Sequence, residues 1–135
     1  MSIVAYALGI SVLVGLFLWQ LQRRHVRALP EINDEQFGEH FRSRFGVSAT
    51  IAVTERREIA RLIGVNPDKL TPDIIFARLI AGPIDVGTRV GLGHLEDDLM
   101  DLAQRAKAKA VSLPPTLSEL LLLRLDLKRR LEPGS

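Results

Sequence analysis

Residues Ile3 to Leu21 form a nineteen-residue stretch without a charged side chain, and the chain leaves it through Arg23, Arg24, His25 and Arg27. At helical rise such a run covers roughly 28 Å, close to the hydrocarbon thickness of a bilayer. Leu, Ile, Val and Phe dominate it, and Ser11 and Gln20 are its only strongly polar side chains. Tyr6 and Trp19, the only Tyr and Trp of the chain, lie near its two ends. Amphipathic rings favour that interfacial position. A cleaved signal peptide would need a basic leading region and a small-residue cleavage site, yet only Met1 and Ser2 precede the run and arginines follow it. A buried helix of a soluble domain would show a polar stripe, and none appears before Gln20. The run is therefore expected to be a transmembrane anchor (1–22), followed by a basic juxtamembrane stalk (23–32) and a helical domain (33–135). Arg23, Arg24 and Arg27 place the domain in the cytoplasm by the positive-inside rule, with the N-terminus outside the cell inner membrane. Tyr6, Trp19 and these three arginines are the expected membrane-interface residues.

One face of the anchor carries Ala7, Ser11 and Gly15 at intervals of four. Small residues at this spacing permit close helix packing, which makes a homodimer within the membrane an expectation.

The remaining hundred or so residues suit one small domain. A net charge of +2, with 25% of residues charged, gives no reason to expect a nucleic-acid partner. With no cysteine, disulfides, thiolate catalysis and cysteine-based metal sites are excluded.

Helix signals then follow one another. Leu29-Pro30-Glu31 breaks the stalk, with a polar elbow over Ala28 to Glu31, and Asn33 with Gln36 forms a capping-box-like start. Phe37, Phe41 and Phe45 recur at intervals of four before Gly46, placing three rings on one helix face toward a core. A second helix, from about Ser48 to Ile63, carries Ile51, Ile59, Leu62 and Ile63 and stops at Gly64, although Val47 to Val53 alone would also suit a short strand. Asn66-Pro67-Asp68 reads as a turn. Thr71-Pro72-Asp73 reads as the start of a short helix bearing Ile74, Ile75, Phe76, Leu79 and Ile80, ended by Gly82-Pro83. Pro83 to Gly93 is glycine-rich and reads as an irregular loop. A helix from about His94 to Ala110 follows, with Leu95, Leu99, Leu102, Ala103 and Ala106 on one side. Its acids Glu96, Asp97, Asp98 and Asp101 precede its bases Arg105, Lys107 and Lys109. Thr116 and Glu119 cap a last helix to about Leu131, with leucine at 117, 120, 121, 122, 123, 125, 127 and 131 and Lys128-Arg129-Arg130 at its end. The expected fold class is all-α: one transmembrane helix and a small bundle of about five helices.

Catalytic motifs are sparse. The Gly87 to Gly93 stretch lacks the lysine of a phosphate-cradling loop. His94, Asp98 and Asp101 share a helical face, but no second cluster supplies further metal ligands, and the expectation is solvated helix acids. His25 and His40 are isolated. No metal, cofactor or catalytic residue is assigned.

Glu58-Ile-Ala-Arg-Leu-Ile-Gly-Val-Asn-Pro-Asp-Lys-Leu-Thr-Pro-Asp73, followed by Phe76, resembles the end of the first helix and the loop of an acyl carrier protein. Leu92-Gly93-His94-Leu95-Glu96-Asp97-Asp98-Leu99-Met100-Asp101-Leu102 is similar to the start of that family's second helix. The position matching the phosphopantetheine-bearing serine is Glu96, and the stretch between Phe76 and Leu92 is longer than the family's. The resemblance thus implies a degenerate carrier-like bundle without carrier activity. It also implies that Glu96, Asp97 and Asp98 meet a basic partner surface.

The resulting expectation is a membrane-anchored interaction or scaffold domain without catalytic activity. Its partners are the lipid bilayer and another protein. The partner-binding residues are expected to be Glu96, Asp97 and Asp98, together with Leu120, Leu123 and Leu127 of the leucine-rich helix. The alternative is a membrane-tethered enzyme or regulator binding a lipid or small molecule near His94.

Overall fold

Local chemistry sets most element boundaries. The computed structural model describes residues 2–82, 85–109 and 111–132. Its α-helices are α1 (Ser2–Ala28), α2 (Asp34–Phe45), α3 (Ala49–Ile63), α4 (Val86–Arg105) and α5 (Leu117–Leu131), with 3-10 turns at Pro67–Lys69 and Phe76–Leu79. The Asn33 side chain accepts the Gln36 amide at 2.8 Å, and the Thr116 hydroxyl accepts the Glu119 amide at 3.4 Å. Each satisfies a donor that the first helical turn leaves unpaired. Gly46 and Gly64 end α2 and α3 with φ of 67° and 89°, a left-handed cap that an L side chain resists. Val47 to Val53 does not form a strand. Residues from Ala49 onward are helical, and Ser48 precedes them without a side-chain cap bond.

The core gathers one face of each helix in the domain. Phe37 and Phe41 from α2, Ile59 and Ile63 from α3, Leu95, Leu99 and Leu102 from α4, and Leu117, Leu120, Leu121 and Leu127 from α5 are buried together. Removing each such side chain from water contributes about 1.5–3 kcal/mol. Two expected core residues lie outside this cluster. Phe45 is on the last turn of α2 and Ile51 on the first turns of α3, and both are exposed.

Two stretches depart from the sequence expectation. The short helix expected from Thr71 is absent; Pro72 and Asp73 form a turn, and Ile75 makes an isolated antiparallel bridge to Thr116. The Phe76 amide donates to the Pro115 carbonyl at 3.0 Å, and Leu117 N donates to Ile74 O at 3.1 Å. Pairing with the approach to α5 takes up the backbone that a helix from Thr71–Pro72–Asp73 would have used. Helical geometry returns only at Phe76–Leu79.

The second departure is α4, which begins at Val86 and runs through the glycines expected to form a loop. Asp85 caps it, accepting the Thr88 amide at 3.1 Å. Gly91 explains why glycine is tolerated inside this helix. A Cβ there would lie 2.1 Å from the Ile63 carbonyl oxygen, so α3 and α4 approach too closely for any side chain. The helix ends at Arg105, earlier than expected; Ala110 and Pro83, which the sequence placed at element boundaries, lie outside the described residues.

The buried cation of α5 is paired with acids of the neighbouring helices. Arg124, at the middle of α5, is fully buried, and its Nε donates to Glu55 at 2.6 Å while Nη1 donates to Asp98 at 2.5 Å. Its Nη2 is 3.1 Å from Glu58, within ion-pair range but without hydrogen-bond alignment. Lys128 bonds both Glu55 at 2.9 Å and Glu58 at 3.0 Å. Burial would discourage the positive charge on Arg124, but Asp98 and Glu55 outweigh it and hold its proton more firmly than usual. For Lys128 the same opposition, burial against Glu55 and Glu58, also ends in a raised pKa. One guanidinium thereby ties α5 to α3 and α4.

Candidate functional site

The functional geometry with the clearest construction is the junction between α1 and the domain. α1 is 27 residues long with no buried residue, and it is the one described helix long and apolar enough to cross a membrane. It does not stop at the apolar run. Arg23, Arg24 and Arg27 occupy the last turns of the same helix, so the first part of the expected stalk is helical up to Ala28 and the elbow begins there.

Three contacts fasten this end to the domain. The Lys69 ammonium, on a side chain with only 10% exposure, donates to the carbonyls of Arg27 and Leu29, each at 3.1 Å. A cation over the unpaired carbonyls of a helix C-terminus is favoured by both hydrogen bonding and the helix dipole. Gln22 Nε2 donates to the buried Thr88 hydroxyl at 2.9 Å. His25 Nε2 lies 2.5 Å from the Arg78 carbonyl oxygen, which requires that nitrogen to carry the proton.

Lys69 is itself positioned by local chemistry. Asn66 Oδ1 accepts the Asp68 amide at 3.0 Å and starts the 3-10 turn that presents the lysine. Ile32 N donates to Asp68 O at 2.9 Å, joining the elbow to that turn. Beneath it, the fully buried Arg56 donates to the Ile32 carbonyl at 3.0 Å and to Asp34 at 2.6 Å, with its guanidinium 4.3 Å from the Phe37 ring centroid. Arg57 also pairs with Asp34. Hydrogen bonds from Arg56 and then Arg57 hold the Asp34 carboxyl below its ordinary range.

Above the junction, α1 and the start of α4 enclose a half-open crevice of about 490 Å³. Gly15, Leu18, Trp19 and Gln22 form one wall, and Val86 and Gly87 belong to the other. Asp85 lies at its edge. Burial would raise its pKa, but the Ala81 amide and the hydroxyl and amide of Thr88 lower it overall.

The expected site residues meet different fates. Tyr6 and Trp19 are exposed, and Arg23 stacks over the Trp19 ring with its guanidinium carbon 4.6 Å from the centroid. Ala7, Ser11 and Gly15 are exposed, with the Ser11 hydroxyl donating back to the Ala7 carbonyl at 2.8 Å. Gly15 also lines the crevice, so a second helix approaching it would meet the start of α4. Glu96 and Asp97 are exposed on α4, but Asp98 is turned to Arg124 and serves the domain itself. Leu120 and Leu127 are buried in the core and present no surface to a partner; Leu123 is half-buried. The leucine-rich helix is thus covered mainly by its own domain.

His94 is exposed, while Asp101 pairs with Arg105 at 3.1 Å and Asp98 with Arg124. The three residues do not converge, and no group of three or more His, Asp or Glu suited to a metal occurs among the described residues. The stretch resembling a carrier's second-helix start lies within α4, with Glu96 well inside the helix.

Sequence reasoning overlooked Arg56, Lys69 and Arg124. Arg124 had a readable signal: a lone cation in the middle of an otherwise leucine-rich helix must find acids, and Glu55, Glu58 and Asp98 were available. Lys69 and Arg56 had none, since their partners are main-chain carbonyls and distant acids brought near only by folding. The chain matches no protein-family model, no curated protein and no solved structure.

Proposed function

We propose that this chain is a single-pass membrane protein whose helical domain serves as an interaction or scaffold module without catalytic activity of its own. The N-terminus lies outside and the domain in the cytoplasm, in the cell inner membrane, as the basic end of α1 favours. The observation that carries this reading is the junction. The apolar helix runs without interruption into its basic turns, and Lys69, Gln22 and His25 tie that end to the domain. An anchor fastened in this way presents the domain in one orientation to the membrane. A flexible tether would not.

The use of the polar residues supports a scaffold. The buried charges Arg56 and Arg124 are directed at main-chain and carboxylate partners that join helices, not at an open cavity. The carrier-like resemblance adds the expectation of a basic partner surface, and Glu96 and Asp97 are the two acids of that turn left exposed for it.

Topology is tested directly because the chain contains no cysteine. Ser2→Cys and Ser112→Cys are each treated with a membrane-impermeant maleimide on intact cells. Labelling of Ser2→Cys alone, with Ser112→Cys labelled only after lysis, is the expected result. The reverse pattern overturns the orientation, and recovery of both in the soluble fraction overturns the anchor. For the interaction reading, Glu96→Lys with Asp97→Lys should remove cross-linked partners in native membranes. An unchanged set of cross-links would remove these acids from the proposal.

A further inference from the structure

We infer that the crevice between α1 and the start of α4 is a seat for one anionic phospholipid of the surrounding bilayer, an inference that rests on α1 spanning the membrane. Gly15, Leu18 and Trp19 belong to the apolar run, and across the crevice they face Val86 and Gly87. With Trp19 at the interface and Arg23 among the headgroups, the start of α4 must lie at the same depth. Val86 is 64% exposed and Val90, one turn later, is 49% exposed. On a surface bathed in water those two side chains would be unfavourable, whereas beside lipid they are covered.

The crevice volume of about 490 Å³ is in the range of ligand pockets, roughly 300–1,000 Å³. Its lining is predominantly apolar, which suits an acyl chain. Asp85 accepts the amides of Ala81 and Thr88, so those two donors are already used within the wall. Two cations stand beside lining residues. Arg23 lies over Trp19, and the Arg89 guanidinium is 3.5 Å from the carbonyl of Gly82, itself a lining residue. Arg89 offsets the charge of the nearby Asp85 carboxylate, which lines the crevice, and Arg23, whose guanidinium lies over the Trp19 ring, is the cation left to meet a headgroup phosphate. Apolar chain inward and anionic headgroup at the rim is the arrangement of a lipid already standing in the bilayer.

Trp19 is the only tryptophan and lines the crevice, so its fluorescence reports the occupant. The full chain is reconstituted in phosphatidylcholine vesicles containing an equal mole fraction of either dibrominated phosphatidylglycerol or dibrominated phosphatidylcholine. Preferential seating predicts that the brominated anionic lipid quenches Trp19 with an apparent affinity about fivefold higher, the effect expected of a nearby arginine. Arg89→Gln should reduce that ratio, and Gly87→Leu, which fills the crevice while keeping both arginines, should abolish it. Equal quenching by the two lipids overturns the seat and leaves the anchor standing. A preference that survives Gly87→Leu also overturns it, because only diffuse attraction to the basic turns would remain. No quenching by either lipid overturns the anchor together with the seat.

Discussion

α1 and α5 are both leucine-rich helices, and their surroundings are opposite. No residue of α1 is buried, whereas α5 buries Leu117, Leu120, Leu121, Leu127 and Arg124. The difference lies in what each helix carries besides leucine. α5 has an arginine at its centre and α3 and α4 supply carboxylates for it, so the helix has a specified place within the domain. The Ile3 to Leu21 part of α1 has no charge and no polar stripe, and the described residues of the domain reach it only near its end, around Gly15, Leu18 and Trp19. Apolar content alone therefore says that a helix must be covered. The isolated charge says by what.

The strongest way to break the comparison is to remove the charge from α5. Arg124→Ala leaves Glu55, itself almost fully buried, with Lys128 as its one ion-pair partner among the described residues. Removing one member of a buried ion network typically costs about 3–5 kcal/mol. The urea midpoint of the detergent-solubilised protein should fall accordingly, and a wild-type midpoint would mean that leucine packing alone places α5. The reciprocal change adds a charge to α1. Leu13→Lys should disfavour membrane insertion by about 3 kcal/mol. Alkaline extraction of membranes should then release the protein while the domain keeps its unfolding midpoint. A loss of domain stability would show that the apolar half of α1 packs on the domain in solution.

The same contrast explains which features were legible in the sequence. Caps and stops depend on one or two neighbouring residues, so Asn33, Thr116, Gly46 and Gly64 marked their boundaries correctly. The α1 run was legible because it needs no partner within the chain. Features that depend on distant contacts were not. The glycines of α4 read as loop because the close approach of Ile63 that requires Gly91 is invisible in one dimension. Thr71 to Ile80 read as helix because the bridge from Ile75 to Thr116 spans a long sequence separation. Of the candidate site, the exposure of Glu96 and Asp97 and of the aromatic and basic residues near the ends of α1 was readable. The crevice and the Lys69 cap were not, because each is made by bringing α1 against residues far along the chain.

Gly91→Ala tests that tertiary requirement. The added methyl would fall on the Ile63 carbonyl, and overpacking of this kind costs about 1–3 kcal/mol. If the urea midpoint rises instead, through the better helix propensity of alanine, α3 and α4 can separate and the contact is not restrictive. A smaller effect is expected from Thr116→Ala at the start of α5, about 1 kcal/mol for the lost cap. It should be additive with Leu13→Lys, since the two helices have separate supports.

The smallest effect concerns Asp34, whose side chain is 37% exposed, so its pairing with Arg56 and Arg57 is weakened by solvent. Its carboxyl is held below the ordinary value of 3.8. A group with a depressed pKa in the folded state stabilises that state fully above its unfolded pKa, and the contribution disappears as pH falls through the folded value. Asp34→Asn should therefore lower the urea midpoint modestly at neutral pH, and the gap from wild type should close as pH falls below about 4. Arg56 remains bonded to the Ile32 carbonyl in that variant, which limits the loss. A gap that persists unchanged into acid would mean that Asp34 acts through its shape or its position in the first turn of α2, and that Arg56 holds the elbow without it.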